Sequence, residues 1–199
     1  MQLSASAIVV AARAHGETAS IARVLTEEYG LVAGYVAGGR GRQLRPVLIP
    51  GNMVAADLSA RSDSQLPFLK LELVESRGPW LGEPLAAAAI AWVTTLAAAV
   101  LPERNPYPNI YNALSATLDA ICHAPSARGW LRAVLAYEAL VLRELGYGGA
   151  APTETDLGAL LELFARQAAP LERYLLADRK GDAMAARAML GERLEKLKP

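Results

Sequence analysis

The pattern of hydrophobic and polar residues changes near Gly78–Pro79 and divides the chain into two parts. In the first part, short runs rich in Val, Ile and Leu are separated by glycines, and Phe68–Val74 alternates with the period of two typical of a half-buried strand. Further strands are predicted at Ile8–Val10, Leu31–Ala37 and Met53–Arg61. Several short strands with glycine-rich turns are typical of a small, strongly bent sheet or barrel.

From Gly82 onward the hydrophobic residues recur at helical spacing, and Pro and Gly residues separate the segments. Helices are predicted at 84–101, 108–121, 127–145, 156–165 and 182–197. The chain is therefore predicted to have an α+β fold in which strands come first and helices follow. We place the first domain at residues 1–79 and the second at residues 80–199.

The segment Glu17–Tyr29 fits two structures. Ile21, Val24 and Leu25 would share one face of a helix. Ile21, Arg23 and Leu25 would equally share one face of a strand. Periodicity alone does not decide between the two.

Composition narrows the class of protein. With 53% hydrophobic and 20% charged residues, the chain is apolar and long enough to bury a core, which excludes general disorder.

The stretch between Glu83 and Glu103 has no charge but is dominated by alanine, which favours a buried core helix over a membrane span. The N-terminus has no basic leader before its apolar run, so no signal peptide is predicted. The single cysteine, Cys122, suits a reducing compartment, and we expect a cytoplasmic protein.

Charge excludes a globally basic protein. The 20 Lys and Arg residues balance the 20 Asp and Glu residues. Residues 1–79 contain eight cationic residues against seven acidic ones, a net charge of +1. Any nucleic-acid surface must therefore arise from the placement of charge, and we expect its affinity to be modest and sensitive to salt.

The Gly38–Arg45 loop is the most informative local feature. Arg40, Arg42 and Arg45 lie within six positions, among glycines and without acids, and their guanidinium groups suit phosphate oxygens. No Lys-Ser or Lys-Thr pair follows the glycines, which excludes a nucleotide-binding P-loop. An anion-binding loop and an ordinary solvated turn are equally compatible with these residues.

The chain does not predict catalysis. The sequence marks neither a general base nor an orienting group for Cys122. Cys122 and His123 offer two possible metal ligands, and no others lie near them in the sequence.

The aromatic residues of the first part are Tyr29, Tyr35 and Phe68. From strands they would be able to stack on bases, but core packing is the favoured interpretation.

An ordered set of motifs runs through both parts of the chain. These motifs are Ala7–Val10, Gly16–Thr18, Leu25–Gly30, Val36–Arg40, Leu48–Asn52, Tyr137–Glu138 and Leu145–Gly148. Over roughly residues 5–148, the set resembles the family of the bacterial recombination mediator RecO.

The resemblance implies an N-terminal OB-fold barrel of five strands, with a strand in the ambiguous segment, followed by an α-helical domain. It implies a DNA repair and recombination protein without enzymatic activity, which binds single- and double-stranded DNA and anneals complementary strands. Such a protein acts with RecR and with the C-terminal tail of the single-stranded DNA-binding protein (SSB) to place RecA on coated strands. An OB face offers a groove that tracks a nucleic-acid backbone, which fits this role.

The resemblance also assigns residues to DNA. The family's basic segment falls on Arg40, Arg42 and Arg45. Arg13 and Arg61 would lie on or near the barrel surface. We expect all five arginines to contact phosphates.

Departures from the family concern metal binding and the second domain. The cysteine cluster that binds zinc in some members is absent, so we expect neither a metal nor a cofactor. The arginine common two positions before the aromatic-Glu pair is Leu135 here, and Arg132, about one turn earlier, is the substitute. The site for the SSB tail is therefore expected near Arg128 and Arg132. The segment after the Leu-Gly-Tyr motif is shorter than is usual in the family.

A second interpretation stays open. An adaptor with the same barrel and helices would bind only proteins and no nucleic acid. The near-zero net charge favours this alternative.

Overall fold

The computed structural model describes residues 2–60, 65–177 and 182–197. The chain forms two compact units. The barrel unit consists of Met1–Pro79 and Leu101–Tyr111, and the helical unit consists of Trp80–Val100 and Asn112–Pro199. The predicted division into domains at residues 1–79 and 80–199 stays a prediction.

Five strands close into a barrel. They are β1 (Gln2–His15), β2 (Ala19–Thr26), β3 (Gly30–Val36), β4 (Met53–Ser59) and β5 (Phe68–Glu75). They pair in the order β1-β2-β3-β5-β4, and β4 pairs back with β1. The β3–β5 pair is parallel and meets at Tyr35 and Phe68, and the other pairs are antiparallel. A five-stranded closed barrel followed by helices confirms the predicted fold class, and the ambiguous segment is a strand.

A β-bulge in β1 determines which of its side chains face the barrel core. Before the bulge, Ala7 and Val9 are buried in the core. The pairing with β2 then shifts between Val9 and Ala11, so that the odd-numbered residues after the bulge lie on the outer face. Arg13 pairs with Ile21 there and is exposed.

Two irregular segments complete the barrel unit. Between β3 and β4, Val47 and Leu48 are buried in the same core as the strands, so this loop covers part of the barrel interior. The Leu101–Tyr111 segment runs beside the start of β3. There, Glu103 forms an isolated bridge with Leu31, and the Arg104 N–H donates to the Leu31 carbonyl at 2.9 Å.

The helices are α1 (Pro84–Val100), α2 (Pro108–His123), α3 (Ala127–Glu144), α4 (Leu157–Pro170) and α5 (Asp182–Glu195). Asp156 caps α4, because its side chain accepts a hydrogen bond from the Ala159 N–H at 2.9 Å. A π-helical turn, Leu171–Leu176, follows α4 directly. Among the described residues, every helix is too short or too polar to cross a bilayer.

A buried polar cluster lies at the centre of the helical unit. The carboxylate of Glu138 accepts hydrogen bonds from Trp92 at 2.7 Å, from Gln167 at 3.0 Å and from Arg187 at 2.9 and 3.0 Å. The Arg187 guanidinium also lies 3.8 Å from the centre of the Phe164 ring. Burial raises the pKa of Glu138 above its ordinary value, while Arg187 and the two neutral donors oppose the rise. One carboxylate thereby links α1, α3, α4 and α5.

Candidate nucleic-acid interface

Three of the arginines predicted to bind phosphate lie around one pocket of the barrel unit. Arg13, Arg40 and Arg45 are all exposed, and they line a cavity of about 380 Å³, which we call the basic pocket. Its other lining residues are Ala12, Ala14, Ser20, Gly39 and Leu48. No acidic side chain is among the described residues that line it, so the pocket is suited to an anion.

The loop after β3 reaches the pocket because it packs tightly on the β1–β2 turn. A Cβ atom at Gly39 would lie 2.7 Å from the Cβ of Ser20, so a larger residue would push the loop away from β2. The Arg40 N–H donates to the Thr18 carbonyl at 3.0 Å, and the Arg40 guanidinium donates to the Gly16 carbonyl at 2.9 Å. Arg40 is therefore fixed beside Arg13 despite their separation in the sequence.

Asn52 anchors the other end of this loop. Its side chain is fully buried and donates to the carbonyls of Pro46 at 2.8 Å and Val47 at 3.1 Å. Its side-chain oxygen accepts from the Arg77 N–H at 2.7 Å. Asn52 had no predicted role, since the local sequence pattern does not reveal a partner 25 residues away.

Charge pairing distinguishes the basic pocket from other cationic positions of the barrel. Three cationic residues elsewhere on the strands or at their ends are neutralised by glutamates. These pairs are Arg23–Glu103 at 3.3 Å, Lys70–Glu72 at 3.5 Å and Arg77–Glu75 at 2.7 Å. In the part of the chain that the structure describes, the three arginines of the basic pocket and Arg42 form no ion pair. The pocket and its loop therefore carry positive charge that a ligand can still neutralise.

The remaining predicted residues of the barrel lie elsewhere. Arg42 is exposed on the same loop but does not line the basic pocket. Arg61 lies outside the described residues. The assignment of all five arginines to phosphate contacts stays a prediction.

Arg128 and Arg132, predicted to lie near a partner site, are exposed on α3. Arg128 donates to the Thr155 carbonyl at 3.1 Å, and Arg132 donates to the Pro152 carbonyl at 3.4 Å. Both side chains thus hold the segment before α4 beside α3. Their role in binding a partner stays a prediction.

Core packing, the favoured interpretation for three aromatic residues, is wrong for one of them. Tyr29 is partly buried against the barrel core, and Tyr35 is half-buried. Phe68, however, is 61% exposed, because Leu69 occupies the inward position at the start of β5. The Tyr35 and Phe68 rings contact each other edge to face, with centroids 5.4 Å apart.

Two family models match successive parts of this chain. Residues 1–77 match the family model described as recombination protein O N terminal, and residues 81–150 match recombination protein O C terminal. A protein of Rhodospirillum centenum named DNA repair protein RecO is 42% identical over 149 residues, which are 74% of this chain and 58% of the relative. Proteins of the same name from Phenylobacterium zucineum and Caulobacter vibrioides are 39% and 38% identical over 149 residues, which are 74% of this chain and 60% of each relative.

The chain thus spans about three fifths of the length of the curated relatives it matches. The matched residues include all the motifs on which the resemblance depended, and that resemblance is confirmed. Because both family models match and together cover most of its length, this chain belongs to the RecO family.

Proposed function

We propose that this protein acts in DNA repair and recombination and that its barrel unit binds DNA at the basic pocket. The observation that carries the proposal is the contrast between paired and unpaired cations. Arg13, Arg40 and Arg45 surround one pocket without an acidic neighbour in its described lining, while Arg23, Lys70 and Arg77 are paired with glutamates. The relatives named DNA repair protein RecO support the same biological role.

The guanidinium groups bind phosphate oxygens of the DNA backbone. Arg40 and Arg45 lie on a loop that is fixed at both ends, so little conformational freedom is lost on binding. Arg42, exposed on the same loop, adds a further phosphate contact, and the same role is proposed for Arg61 on the family resemblance alone. Because phosphate contacts carry no direct sequence information, this surface accepts many sequences and both single and double strands.

Annealing follows from the same chemistry. Two complementary strands repel each other through their phosphates, and arginines that neutralise some of this charge lower the repulsion. The protein acts as a mediator without catalysis, and with RecR it helps to place RecA on strands coated by SSB. The acidic, aromatic tail of SSB binds the helical unit near Arg128 and Arg132, where exposed guanidinium groups are within reach of carboxylates.

The proposal is tested by replacing Arg13, Arg40 and Arg45 together with alanine. Binding of a labelled single strand and of a labelled duplex is measured by filter binding at several salt concentrations. The slope of log affinity against log salt is negative, and each lost phosphate contact is expected to make it shallower by about 0.7 for the single strand and about 0.9 for the duplex. Affinity at low salt is expected to fall by at least about ten-fold.

The matched control replaces Arg143, Arg166 and Arg173, three exposed arginines of the helical unit, with alanine. This variant loses the same formal charge but keeps the basic pocket, and its DNA binding is expected to stay within about two-fold of the parent. Equal losses in the two variants would show a general effect of charge and refute the pocket. If the parent protein binds no DNA even at low salt, the DNA-binding proposal is refuted and the adaptor alternative remains.

A further inference from the structure

One row of residues crosses four strands on the outer face of the barrel. Arg13 on β1 pairs with Ile21 on β2, Ile21 pairs with Tyr35 on β3, and Tyr35 pairs with Phe68 on β5. Directly paired residues project from the same face of a sheet, so all four side chains share this surface. His15 lies two residues after Arg13 and therefore projects from the same face.

Three aromatic rings form a continuous series on this face. The ring centroids of His15 and Tyr35 are 5.9 Å apart at 88°, and those of Tyr35 and Phe68 are 5.4 Å apart at 80°. Such edge-to-face contacts are favourable and hold each ring in place. Phe68 is nevertheless 61% exposed, so the ring at the end of the series is held by its contact with Tyr35 and remains open to solvent. We call His15, Tyr35 and Phe68 the aromatic series.

Arg13 connects the aromatic series to the basic pocket. It lines the basic pocket, and it also lines a second cavity of about 590 Å³ on the outer face. That second cavity is also lined by Ile21, Ala33 and the 45% exposed Leu66, and by the ion-paired Arg23 and Glu103. Ile21, which pairs with both Arg13 and Tyr35, thus joins the basic pocket to the aromatic series.

We propose that the aromatic series stacks on unpaired nucleobases, which makes single-stranded DNA the preferred ligand of the barrel. The inference rests on the proposed function, because the phosphates must be held at the basic pocket for the bases to reach the rings. Every base has a flat π face, so aromatic stacking tolerates any sequence. In a duplex these faces are covered by neighbouring bases, and only the phosphate contacts remain available to the protein.

A protein partner would also cover exposed rings, but the position of the series favours nucleic acid. The residue that begins the row is an arginine without an ion pair among the described residues, and it is shared with a pocket whose described lining has no acid. A strand whose phosphate lies at Arg13 has the adjacent outer face within reach of its bases, because Arg13 and the rings share that face. If a protein and not DNA covers the aromatic series, replacing its rings will leave the binding of every DNA probe unchanged.

The test uses the full chain and three probes, of which the two single strands carry the same phosphate charge and the duplex carries about twice as much per length. They are an oligothymidine of about 16 nucleotides, the same strand with abasic sites, and a hairpin duplex. For the parent protein, removing the bases is expected to lower affinity by about ten-fold or more. The variant Phe68→Leu/Tyr35→Leu keeps apolar side chains but loses the π faces. It is expected to bind oligothymidine about ten-fold more weakly and to bind the abasic strand and the hairpin within about two-fold of the parent.

The matched control replaces a second exposed aromatic pair. Tyr147 and Tyr174 are 49% and 43% exposed and stack on each other in the helical unit. Tyr147→Leu/Tyr174→Leu is expected to leave all three affinities unchanged. Thermal unfolding of each variant checks the fold, and Phe68→Leu alone serves if the double variant unfolds.

The outcomes separate the two proposals. If the parent binds the abasic strand as tightly as oligothymidine, or if Phe68→Leu/Tyr35→Leu weakens all three probes equally, stacking is refuted while the basic pocket stands. Unchanged binding of all three probes by that variant also refutes stacking and leaves the series to a protein partner. If the parent binds no probe, both the stacking and the proposed function are refuted.

Discussion

Arg187 and Glu138 form a pair of hydrogen bonds of 2.9 and 3.0 Å at the buried centre of the helical unit, although 49 positions separate them. A carboxylate without water is costly unless its charge is matched, and Arg187 matches it. Replacing Arg187 with leucine leaves the carboxylate of Glu138 buried and uncompensated. We expect the free energy of unfolding to fall by about 3–5 kcal/mol.

This variant should also respond to pH in a defined direction. Burial already raises the pKa of Glu138, and removing Arg187 raises it further, so folding favours the protonated acid. In the unfolded chain the group ionises at about 4.5. The stability of Arg187→Leu should therefore decrease as pH rises above that value, as chemical denaturation between about pH 5 and pH 7 would measure. The double variant Glu138→Gln/Arg187→Leu should lack this dependence, and an equal slope in both variants would contradict the assignment.

Asn52 is expected to matter for both stability and DNA binding. Asn52→Ala removes three hydrogen bonds and leaves the carbonyls of Pro46 and Val47 without their donor. The expected loss is about 2–4 kcal/mol in the free energy of unfolding, together with weaker DNA binding as the Gly38–Arg45 loop loosens. Denaturant titration and filter binding measure the two effects. The control is Asn105→Ala, whose exposed amide bonds only to the Tyr107 hydroxyl among the described residues and should change stability by less than about 0.5 kcal/mol.

Gly30 is expected to tolerate no larger residue. Its φ of 68° favours glycine, and a Cβ atom there would collide with the backbone carbonyl of Asn105. Gly16 has a similar φ of 62° but open space around its Cβ position. Gly16→Ala should therefore cost about 1–2 kcal/mol through backbone strain alone, and Gly30→Ala should cost at least about 1–3 kcal/mol more through the collision. Thermal unfolding compares the stability of the two variants. Equal losses would mean that residues 101–111 move away from the added Cβ atom at no cost in free energy, which would contradict the prediction.

The proposed tail site makes a separate prediction for the helical unit. Arg128→Ala/Arg132→Ala should weaken binding of a peptide with the acidic, aromatic sequence of the SSB tail by at least about five-fold, because two charge-assisted contacts are lost. Its affinity for DNA should remain that of the parent. Isothermal titration with the peptide measures the loss, and Arg166→Ala serves as the control on an exposed arginine of α4. A loss of DNA affinity without a loss of peptide affinity would move both arginines to the DNA surface.

The barrel and helices were predictable because each depends on local patterning. The alternation of Phe68–Val74 identified β5, and Pro and Gly residues marked the ends of the helices. The Arg40 and Arg45 side chains were predictable as a group because they are close in the sequence.

The parts that escaped prediction depend on long-range pairing. The alternation of β5 places Phe68 on the face of Lys70 and Glu72, so its core interpretation conflicts with the strand's own pattern. Its contact with Tyr35, however, depends on pairing between distant strands. The Glu138–Arg187 pair joins α3 to α5, and Asn52 joins the segment after the Gly38–Arg45 loop to the residues that follow β5. None of these contacts leaves a periodic signal in the sequence.

The bulge in β1 has a consequence for how this surface can change during evolution. One supernumerary residue between Val9 and Ala11 inverts the parity of the strand, so that Arg13 and His15 point to solvent instead of into the barrel. Deleting a single codon at this place would reverse both side chains without altering either of them. Residue spacing, as much as residue identity, thus decides whether the strand presents a cation, and a homologue with the same arginine but a shorter strand would lack it on this side.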